Sequence, residues 1–148
     1  MRVREAMTPW PYTVKSDQTL AEAIRIMADK GIHQLPVLED YEIVGILTDG
    51  DVRIAVGPET RDTPIENLDL APDAVDTVGD WMTPSVQTIG PDAFLSEAAS
   101  IMAEERIGSL PVVGADGDVI GILSVTDVLG RAVAALEEYE GSWDSDEG

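Results

Sequence analysis

The sequence GILTDGDV, residues 45–52, returns as GILSVTDV at residues 121–128. Each copy is a short apolar run that ends at a hydroxyl residue, Thr48 in the first and Ser124 in the second, with an aspartate three positions later. A hydroxyl residue followed at this spacing by an acid, ahead of an apolar helical pattern, is typical of a helix N-terminus. Each copy therefore predicts a strand that leads directly into a capped helix.

The similarity between these two stretches extends over most of the chain. VREAMTP at residues 3–9 matches VGDWMTP at 78–84, and residues 17–38 match residues 92–113, each at an offset of 75. The GIL stretches match at an offset of 76, which places one extra residue in the turn GADGD of the second copy. Self-similarity at a fixed offset indicates a repeated structural unit, so the chain is an internal duplication.

Each copy predicts a β-α-β-β-α unit. A capping-box pattern, Thr19 with Glu22, opens the first helix, and Asp92 is expected to open its counterpart in the second copy. One unit of this size is too small to bury both faces of its own sheet. The predicted fold is therefore α/β of the α+β kind, with two repeats packed sheet to sheet around a pseudo-twofold axis. Apolar residues keep helical spacing at Leu20, Ala23, Ile24 and Met27 in the first copy and at Leu95, Ala98, Ala99 and Met102 in the second.

Composition along the chain sets the expected boundaries of these units. Repeat 1 is assigned to residues 1–58 and repeat 2 to residues 77–136. The segment 59–76 is rich in proline and acids and is predicted to be a linker. Residues 137–148 carry acids without a basic residue and are predicted to form a disordered tail.

The composition also restricts the class of partner. The chain has 29 acidic and 9 basic residues, a net charge of −20, so nucleic acid, which requires a basic surface, is not an expected partner. Strong like charge destabilises a compact protein unless salt screens it, which suggests a high-salt cytoplasm such as that of halophilic archaea; an acidic mesophilic protein is the alternative. The sequence has no cysteine and no long apolar run, which favours a cytoplasmic protein without disulfides or membrane spans.

The motifs V-x-x-x-M-T-P, L-x-E-A, L-P-V and G-I-L-[ST]-x-x-D occur in this order twice, over residues 3–55 and 78–130. This arrangement resembles a tandem pair of CBS (cystathionine-beta-synthase) domains, the Bateman module. The resemblance implies a stand-alone regulatory module that binds AMP, ADP, ATP or S-adenosylmethionine and requires no cofactor. It also implies a homodimer and a regulated partner protein, which the sequence does not identify.

The hydroxyl and acid at each helix start have two interpretations. As a helix cap they need no ligand, although glutamate reaches back better than aspartate to close a capping box. As a binding site, the helix N-terminus attracts a phosphate and a short carboxylate accepts hydrogen bonds from a ribose diol. The resemblance implies two clefts shared between the repeats. One would contain Ser124 and Asp127 with Thr8, Thr13, Ile32 and His33, and the other Thr48 and Asp51 with Thr83, Thr88, Ile107 and Gly108.

The two clefts are expected to differ in charge. His33 is the one histidine in the sequence and its counterpart is Gly108, so the cleft with His33 is the better candidate for a phosphate; a surface histidine is the alternative reading. Asp49, beside Thr48, is expected to repel an anion, and Arg53 to offset that repulsion.

Two other classes of function are alternatives to a ligand-binding regulatory module. A purely structural interaction module, whose clefts bind nothing, is the main alternative. An enzyme is not predicted, because the sequence has a single histidine, no cysteine, no Walker-type phosphate loop and no histidine-glutamate cluster at metal spacing, and no metal site is predicted.

Overall fold

The protein consists of short strands and helices, and the predicted α+β class is confirmed. The structure is a computed structural model that describes residues 1–68, 75–84 and 87–146. The strands are β1 (Thr8–Pro9), β2 (Val14–Lys15), β3 (Gln34–Glu39), β4 (Glu42–Thr48), β5 (Thr83–Pro84), β6 (Ser109–Val113) and β7 (Val119–Ser124). The helices are α1 (Leu20–Lys30), α2 (Asp49–Val56), α3 (Val78–Trp81), α4 (Leu95–Glu105) and α5 (Val125–Asp146), with 3₁₀ helices at Val3–Glu5, Pro58–Thr60 and Ile65–Asn67.

The chain divides into two compact units whose boundaries do not follow the repeats. Unit 1 comprises Met1–Trp10 and Gln87–Gly148, and unit 2 comprises Pro11–Val86. The first M-T-P motif therefore belongs to the unit that carries the hairpin of the second repeat, and the second M-T-P motif belongs to the unit of the first. Each repeat gives one short strand to the other repeat's unit.

Unit 2 contains a four-stranded sheet in the order β2-β3-β4-β5. Strands β3 and β4 form a hairpin in which Gln34 lies opposite Thr48, while β2 runs parallel to β3 and β5 antiparallel to β4. The loop residues of the hairpin, Asp40 and Tyr41, have φ of 49° and 70°. Positive φ at both positions is the type I′ turn, whose twist matches that of a hairpin. The hairpin brings Thr48 to the start of α2.

Unit 1 repeats this arrangement with a three-stranded sheet in the order β1-β7-β6. The β6–β7 hairpin places Ser109 opposite Ser124, and β1 runs antiparallel to β7. Ile89 makes a parallel bridge to Val112, at the place that β2 takes beside β3 in unit 2. The extra residue of the second copy lies in the hairpin turn, where Gly117 has a φ of 87°. Ser124 thus reaches the start of α5 as Thr48 reaches the start of α2.

The first helix of each repeat turns its predicted apolar face inward. In unit 2 the hydroxyl of Thr19 accepts a hydrogen bond from the Glu22 amide at 3.2 Å, as the capping pattern predicts. Leu20, Ala23, Ile24 and Met27 are all buried in the core of unit 2. In unit 1, Ala98 and Met102 are buried, whereas Leu95 and Ala99 are half-buried.

Helix α4 begins differently from the prediction for Asp92. Its N-cap residue is Phe94, which makes no side-chain capping bond. Asp92 instead accepts from Arg4, whose Nε and Nη2 lie 2.9 and 2.6 Å from its Oδ1. The Leu95 amide donates to the carbonyl of Met1 at 2.9 Å. The Met1 carbonyl therefore takes the place of a capping side chain, and the Asp92 carboxylate binds Arg4.

The segment predicted to be a linker, 59–76, is in part a packed element of unit 2. Its 3₁₀ helix Ile65–Asn67 contacts α1, and Ile65 and Leu68 are buried in the core. Two apolar residues three positions apart lie on one side of a helical turn, so the segment covers apolar surface of unit 2. Residues 69–74 of the predicted linker lie outside the described residues.

The acidic segment 137–148 is helical as far as the structure describes it. Helix α5 continues to Asp146, where the sequence analysis predicts a disordered tail; residues 147–148 lie outside the description. Alanine, leucine and glutamate dominate residues 134–140 and favour a helix. Tyr139 and Trp143, four positions apart, add an edge-to-face contact with ring centroids 6.2 Å apart.

Candidate functional site

Two capping boxes mark equivalent points in the two units. In unit 2 the Thr48 hydroxyl accepts from the Asp51 amide at 3.1 Å, and Asp51 Oδ2 accepts from the Thr48 amide at 3.0 Å. In unit 1 the Ser124 hydroxyl accepts from the Asp127 amide at 3.0 Å, and Asp127 Oδ2 accepts from the Ser124 amide at 2.9 Å. Aspartate therefore closes both boxes fully, so the choice of aspartate over glutamate is not in itself a sign of ligand binding.

The strand from the other repeat brings a third polar group to each box. Thr83 lies opposite Ile46 on β4, two residues before Thr48, and its hydroxyl donates to Asp51 Oδ2 at 3.4 Å. Thr8 lies at the equivalent place opposite Ile122 of β7 in unit 1. Thr8 and Thr83 are both exposed. The M-T-P threonines thus lie on the strand beside each box, and the clefts themselves stay a prediction.

The glycine of each GIL stretch allows this strand to approach. A Cβ on Gly45 would lie 2.5 Å from Met82 Sδ and 2.9 Å from the carbonyl oxygen of Thr83. A Cβ on Gly121 would collide with Met7 Sδ and lie 3.2 Å from the carbonyl oxygen of Thr8. These glycines are not among the predicted site residues, although their repetition in both copies is a visible signal in the sequence.

Each box retains polar groups that the cap does not use. Asp51 and Asp127 are half-buried, and their Oδ1 atoms have no hydrogen-bond partner among the described residues. The two capping hydroxyls accept a hydrogen bond but donate none within residues 1–68, 75–84 and 87–146. A carboxylate oxygen that accepts and a hydroxyl that donates, at a helix N-terminus, suit a ligand with hydroxyl groups and an anion.

The two boxes differ in the charges beside them. In unit 2 the first residue of α2 is Asp49, whose Oδ2 lies 3.3 Å from His33 Nδ1. The His33 carbonyl also accepts from the Asp49 amide at 2.9 Å. In unit 1 the corresponding bond joins the Val125 amide to the Gly108 carbonyl, also at 2.9 Å, between residues without side-chain charge. The helix start in unit 2 therefore carries one more carboxylate than that in unit 1.

Arg53 is not at the place where the sequence analysis expected it to offset Asp49. Its Nη1 donates to the carbonyls of Thr60 and Thr63 at 2.5 and 2.6 Å, on the segment that follows α2. Arg131, which lies one turn beyond Asp127 on α5, donates from Nη2 to the carbonyl of Glu5 at 2.7 Å. Both arginines bind backbone within their own unit, which spacing along the sequence did not indicate.

The predicted site residues divide between the two units. Each predicted cleft draws residues from both units, so the sharing of clefts between repeats stays a prediction. Among the described residues of unit 2, Thr83 contacts Asp51 and His33 contacts Asp49 through their side chains. Thr13 and Thr88 are exposed and directly precede Val14 and Ile89, the residues that pair in parallel with β3 and β6. Unit 2 contains Thr13, Ile32, His33, Thr48, Asp51 and Thr83, and unit 1 contains Thr8, Thr88, Ile107, Gly108, Ser124 and Asp127.

Known proteins are similar to this chain in sequence. The family model described as CBS domain matches residues 3–57 and 78–134. The chain is 31% identical over 140 residues to a CBS domain-containing protein of Dictyostelium discoideum, which covers 91% of this chain and 93% of that protein. It is 37% identical over 119 residues to inosine-5′-monophosphate dehydrogenase of Korarchaeum cryptofilum, but these residues are 80% of this chain and only 22% of the enzyme.

Two solved structures have folds similar to that of this chain. The crystal structure of CBSX2 of Arabidopsis thaliana in complex with AMP has a TM-score of 0.71 at 31% identity and covers 90% of this chain and 97% of that one. The CBS domain pair of protein MJ0100, in complex with 5′-methylthioadenosine and S-adenosyl-L-methionine, has a TM-score of 0.72 at 25% identity and covers 90% and 99%. In the part of the chain that the structure describes, no helix combines the length and apolarity needed to cross a membrane.

Proposed function

Because the chain belongs to the CBS domain family, we propose that it is a regulatory module that binds an adenosine-containing ligand. AMP, ADP, ATP and S-adenosylmethionine are the candidate ligands. The observation that carries the proposal is the pair of half-buried aspartates, Asp51 and Asp127, each with one carboxylate oxygen outside the cap. The ligands named for CBSX2 and for MJ0100, AMP and S-adenosyl compounds, support an adenosine ligand here.

The cap and the ligand use different atoms of the same residues. Oδ2 of each aspartate accepts from the backbone, which leaves Oδ1 to accept from a ribose hydroxyl. The hydroxyls of Thr48 and Ser124 accept from the aspartate amides, which leaves their protons to donate to a phosphate or another acceptor. The cap therefore holds the binding groups in place before the ligand arrives, which lowers the entropy lost on binding.

The charges favour unit 1 for a phosphate. Two carboxylates, Asp49 and Asp51, stand in the first turn of α2, while Asp127 stands alone in the first turn of α5. His33 Nδ1 lies 3.3 Å from Asp49 Oδ2, but the His33 side chain is 68% exposed, so water screens this contact. Ser124 and Asp127, which the sequence analysis assigned to the phosphate cleft, keep that role in the proposal. The reason for this assignment is that Val125, the residue next to Ser124, carries no charge, whereas His33 contacts Asp49 in unit 2.

The finer predictions of the sequence analysis form the rest of the proposal. The clefts are shared, with Thr8, Thr13, Ile32 and His33 completing one and Thr83, Thr88, Ile107 and Gly108 the other. The module acts without an enzymatic activity or a cofactor of its own, as a cytoplasmic homodimer that regulates a partner protein. The net charge of −20 supports adaptation to high salt, so the experiments below are run in about 1 M KCl as well as at low salt.

The test is thermal unfolding with and without AMP, ATP and S-adenosylmethionine. The informative variant carries Asp51→Asn and Asp127→Asn. Asparagine still offers an oxygen to the cap but replaces the second acceptor by an NH₂ donor. We expect a ligand at 100 times its Kd to stabilise the wild type by about 2.7 kcal/mol and this variant much less.

A third capping box supplies the matched control. Asp80 Oδ2 accepts from the Thr77 amide at 3.0 Å at the start of α3, outside both candidate sites, and Asp80 is exposed. The variant Asp80→Asn makes the same chemical change there and should keep the full ligand effect. If no adenosine compound stabilises the folded wild type, or if all three aspartates respond alike, the structural interaction module becomes the better account.

A further inference from the structure

A methionine packs on a glycine beside the capping box of each unit. Met7 directly precedes β1 and Met82 directly precedes β5. A Cβ on Gly45 would lie 2.5 Å from Met82 Sδ, and a Cβ on Gly121 would collide with Met7 Sδ. Each thioether therefore rests on the bare Cα of a glycine in the neighbouring strand. We call the pairs Met82–Gly45 and Met7–Gly121 the methionine–glycine contacts.

These two methionines differ from the others in their surroundings. The sequence has five methionines and no cysteine, so methionine is the residue whose sulfur an oxidant can modify. Met27 and Met102 are 0% and 5% exposed, whereas Met1 is an exposed terminal residue. Met7 and Met82 are half-buried and pack against the cores of units 1 and 2. Their side chains thus contact both an apolar core and solvent.

An additional oxygen on either sulfur is incompatible with the methionine–glycine contact. Oxidation to the sulfoxide converts an apolar thioether into a larger, polar group. On the side of Gly45, even the single carbon of a Cβ would lie only 2.5 Å from Met82 Sδ, so an oxygen has no room there. An oxygen directed at the core would be a buried hydrogen-bond acceptor without a donor, which is costly. The oxidised side chain must therefore leave its place.

We propose that Met7 and Met82 form a peroxide-sensitive switch that loosens the strand beside each capping box. The sulfur lone pair attacks one oxygen of hydrogen peroxide, the S–O bond forms and the O–O bond breaks. The proton of the transferred oxygen moves to the other oxygen, which leaves as water, so sulfur loses the two electrons that peroxide gains. Methionine sulfoxide reductases reverse the step. The loosened strand lowers stability, and its effect on ligand affinity rests on the proposed function.

The response should be larger in unit 2. The residue after Met82 is Thr83, whose hydroxyl donates to Asp51 Oδ2 at 3.4 Å. The Thr83 carbonyl oxygen would lie 2.9 Å from a Cβ on Gly45, compared with 3.2 Å for Thr8 and Gly121 in unit 1. Strand β5 is therefore packed more closely on its glycine than β1, and its displacement also removes a hydroxyl from the box.

Peptide mass mapping and thermal unfolding after treatment with hydrogen peroxide test the proposal. We expect sulfoxide at Met7 and Met82 before Met27 and Met102, because the latter two are buried. The Tm should fall by about 5 °C and return after treatment with the reductases. The dissociation constant for AMP should rise about tenfold, the effect of losing one hydrogen bond at the site.

Matched variants assign the effect to the two contacts. Leucine conserves volume and cannot form a sulfoxide, so a Met7→Leu, Met82→Leu double variant should keep its Tm after peroxide treatment. Met27→Leu makes the same change in the core and should stay as sensitive as the wild type. Met82→Gln puts a polar amide on Gly45 and should lower the Tm without peroxide.

The outcomes separate the switch from the proposed function. Equal loss of Tm in the double leucine variant and the wild type overturns the switch. An unchanged Tm when Met7 and Met82 are oxidised overturns it as well. If the Tm falls but oxidised and reduced protein bind AMP equally, the effect on ligand affinity is overturned. If no adenosine compound binds and the Tm still responds as expected, the proposed function fails and the strand switch is supported.

Discussion

The two units build the same capping box in different surroundings. Thr48 with Asp51 and Ser124 with Asp127 make the same pair of hydrogen bonds within 0.1 Å of each other. In unit 2 an additional acid, Asp49, stands beside the box. In unit 1 the box is flanked by uncharged residues. A repeated motif thus fixes the geometry of the site, while its neighbours fix its charge.

The second helix of each repeat shows the same contrast on a larger scale. Helix α2 ends at Val56, and the chain turns at Gly57 and returns to bury Ile65 and Leu68 in the core of unit 2. Helix α5 is 22 residues long and leaves Leu129, Leu136, Tyr139 and Trp143 exposed. One repeat adds the segment after its second helix to its core, and the other extends its second helix into exposed positions.

The largest expected losses of stability concern Gly45 and Gly121, the glycines that lie against the strand supplied by the other repeat. Gly45→Ala should destabilise the protein by about 2 kcal/mol, because its Cβ would meet a rigid backbone oxygen at 2.9 Å. Gly121→Ala should cost about 1 kcal/mol or less, because the backbone oxygen lies at 3.2 Å and Met7 can move. Urea unfolding measures both. Gly130→Ala, with open space around its Cβ, is the control and should not destabilise; equal losses at Gly45 and Gly121 would contradict the comparison.

Smaller losses of stability are expected for the two arginines that bind backbone. Arg53 is half-buried and its guanidinium donates to two carbonyls, so Arg53→Met should lower the free energy of unfolding by about 1.5 kcal/mol. Arg131 is exposed and donates to one, so Arg131→Met should lower it by at most about 0.5 kcal/mol. The same urea titration measures both variants. A loss at Arg131 that equals the loss at Arg53 would show that the segment after α2 is not fixed as described.

The third comparison exchanges the charge beside the boxes and is expected to change ligand affinity. Asp49→Val in an Asp127→Asn background leaves the unit 2 box to bind alone and should tighten AMP binding about fivefold, close to 1 kcal/mol for one nearby charge. Val125→Asp in an Asp51→Asn background should weaken it by a similar factor. Titration calorimetry measures both affinities. S-adenosylmethionine, which has no phosphate, is the control ligand, and an equal gain in its affinity would show that charge is not the cause.

Much of the local structure could be predicted because it depends on residues close in sequence. The boxes at Thr48 and Ser124 each join residues three positions apart, so the same letters give the same hydrogen bonds twice. The apolar face of α1 followed from its helical spacing. The cap expected at Asp92 failed for the opposite reason, since Arg4, 88 residues away, takes its carboxylate.

The sequence by itself determined that this protein is a duplication, that each copy ends a hairpin in a capped helix, and that an aspartate and a hydroxyl stand at both helix starts. Only the tertiary structure decided which unit receives each M-T-P strand, because Gly45 and Gly121 offer two nearly identical strand edges and local sequence does not distinguish them. It also decided that His33 faces Asp49 and that Arg53 holds the segment after α2. These contacts depend on which surfaces the folded chain brings together, and spacing along the sequence carries no information on that.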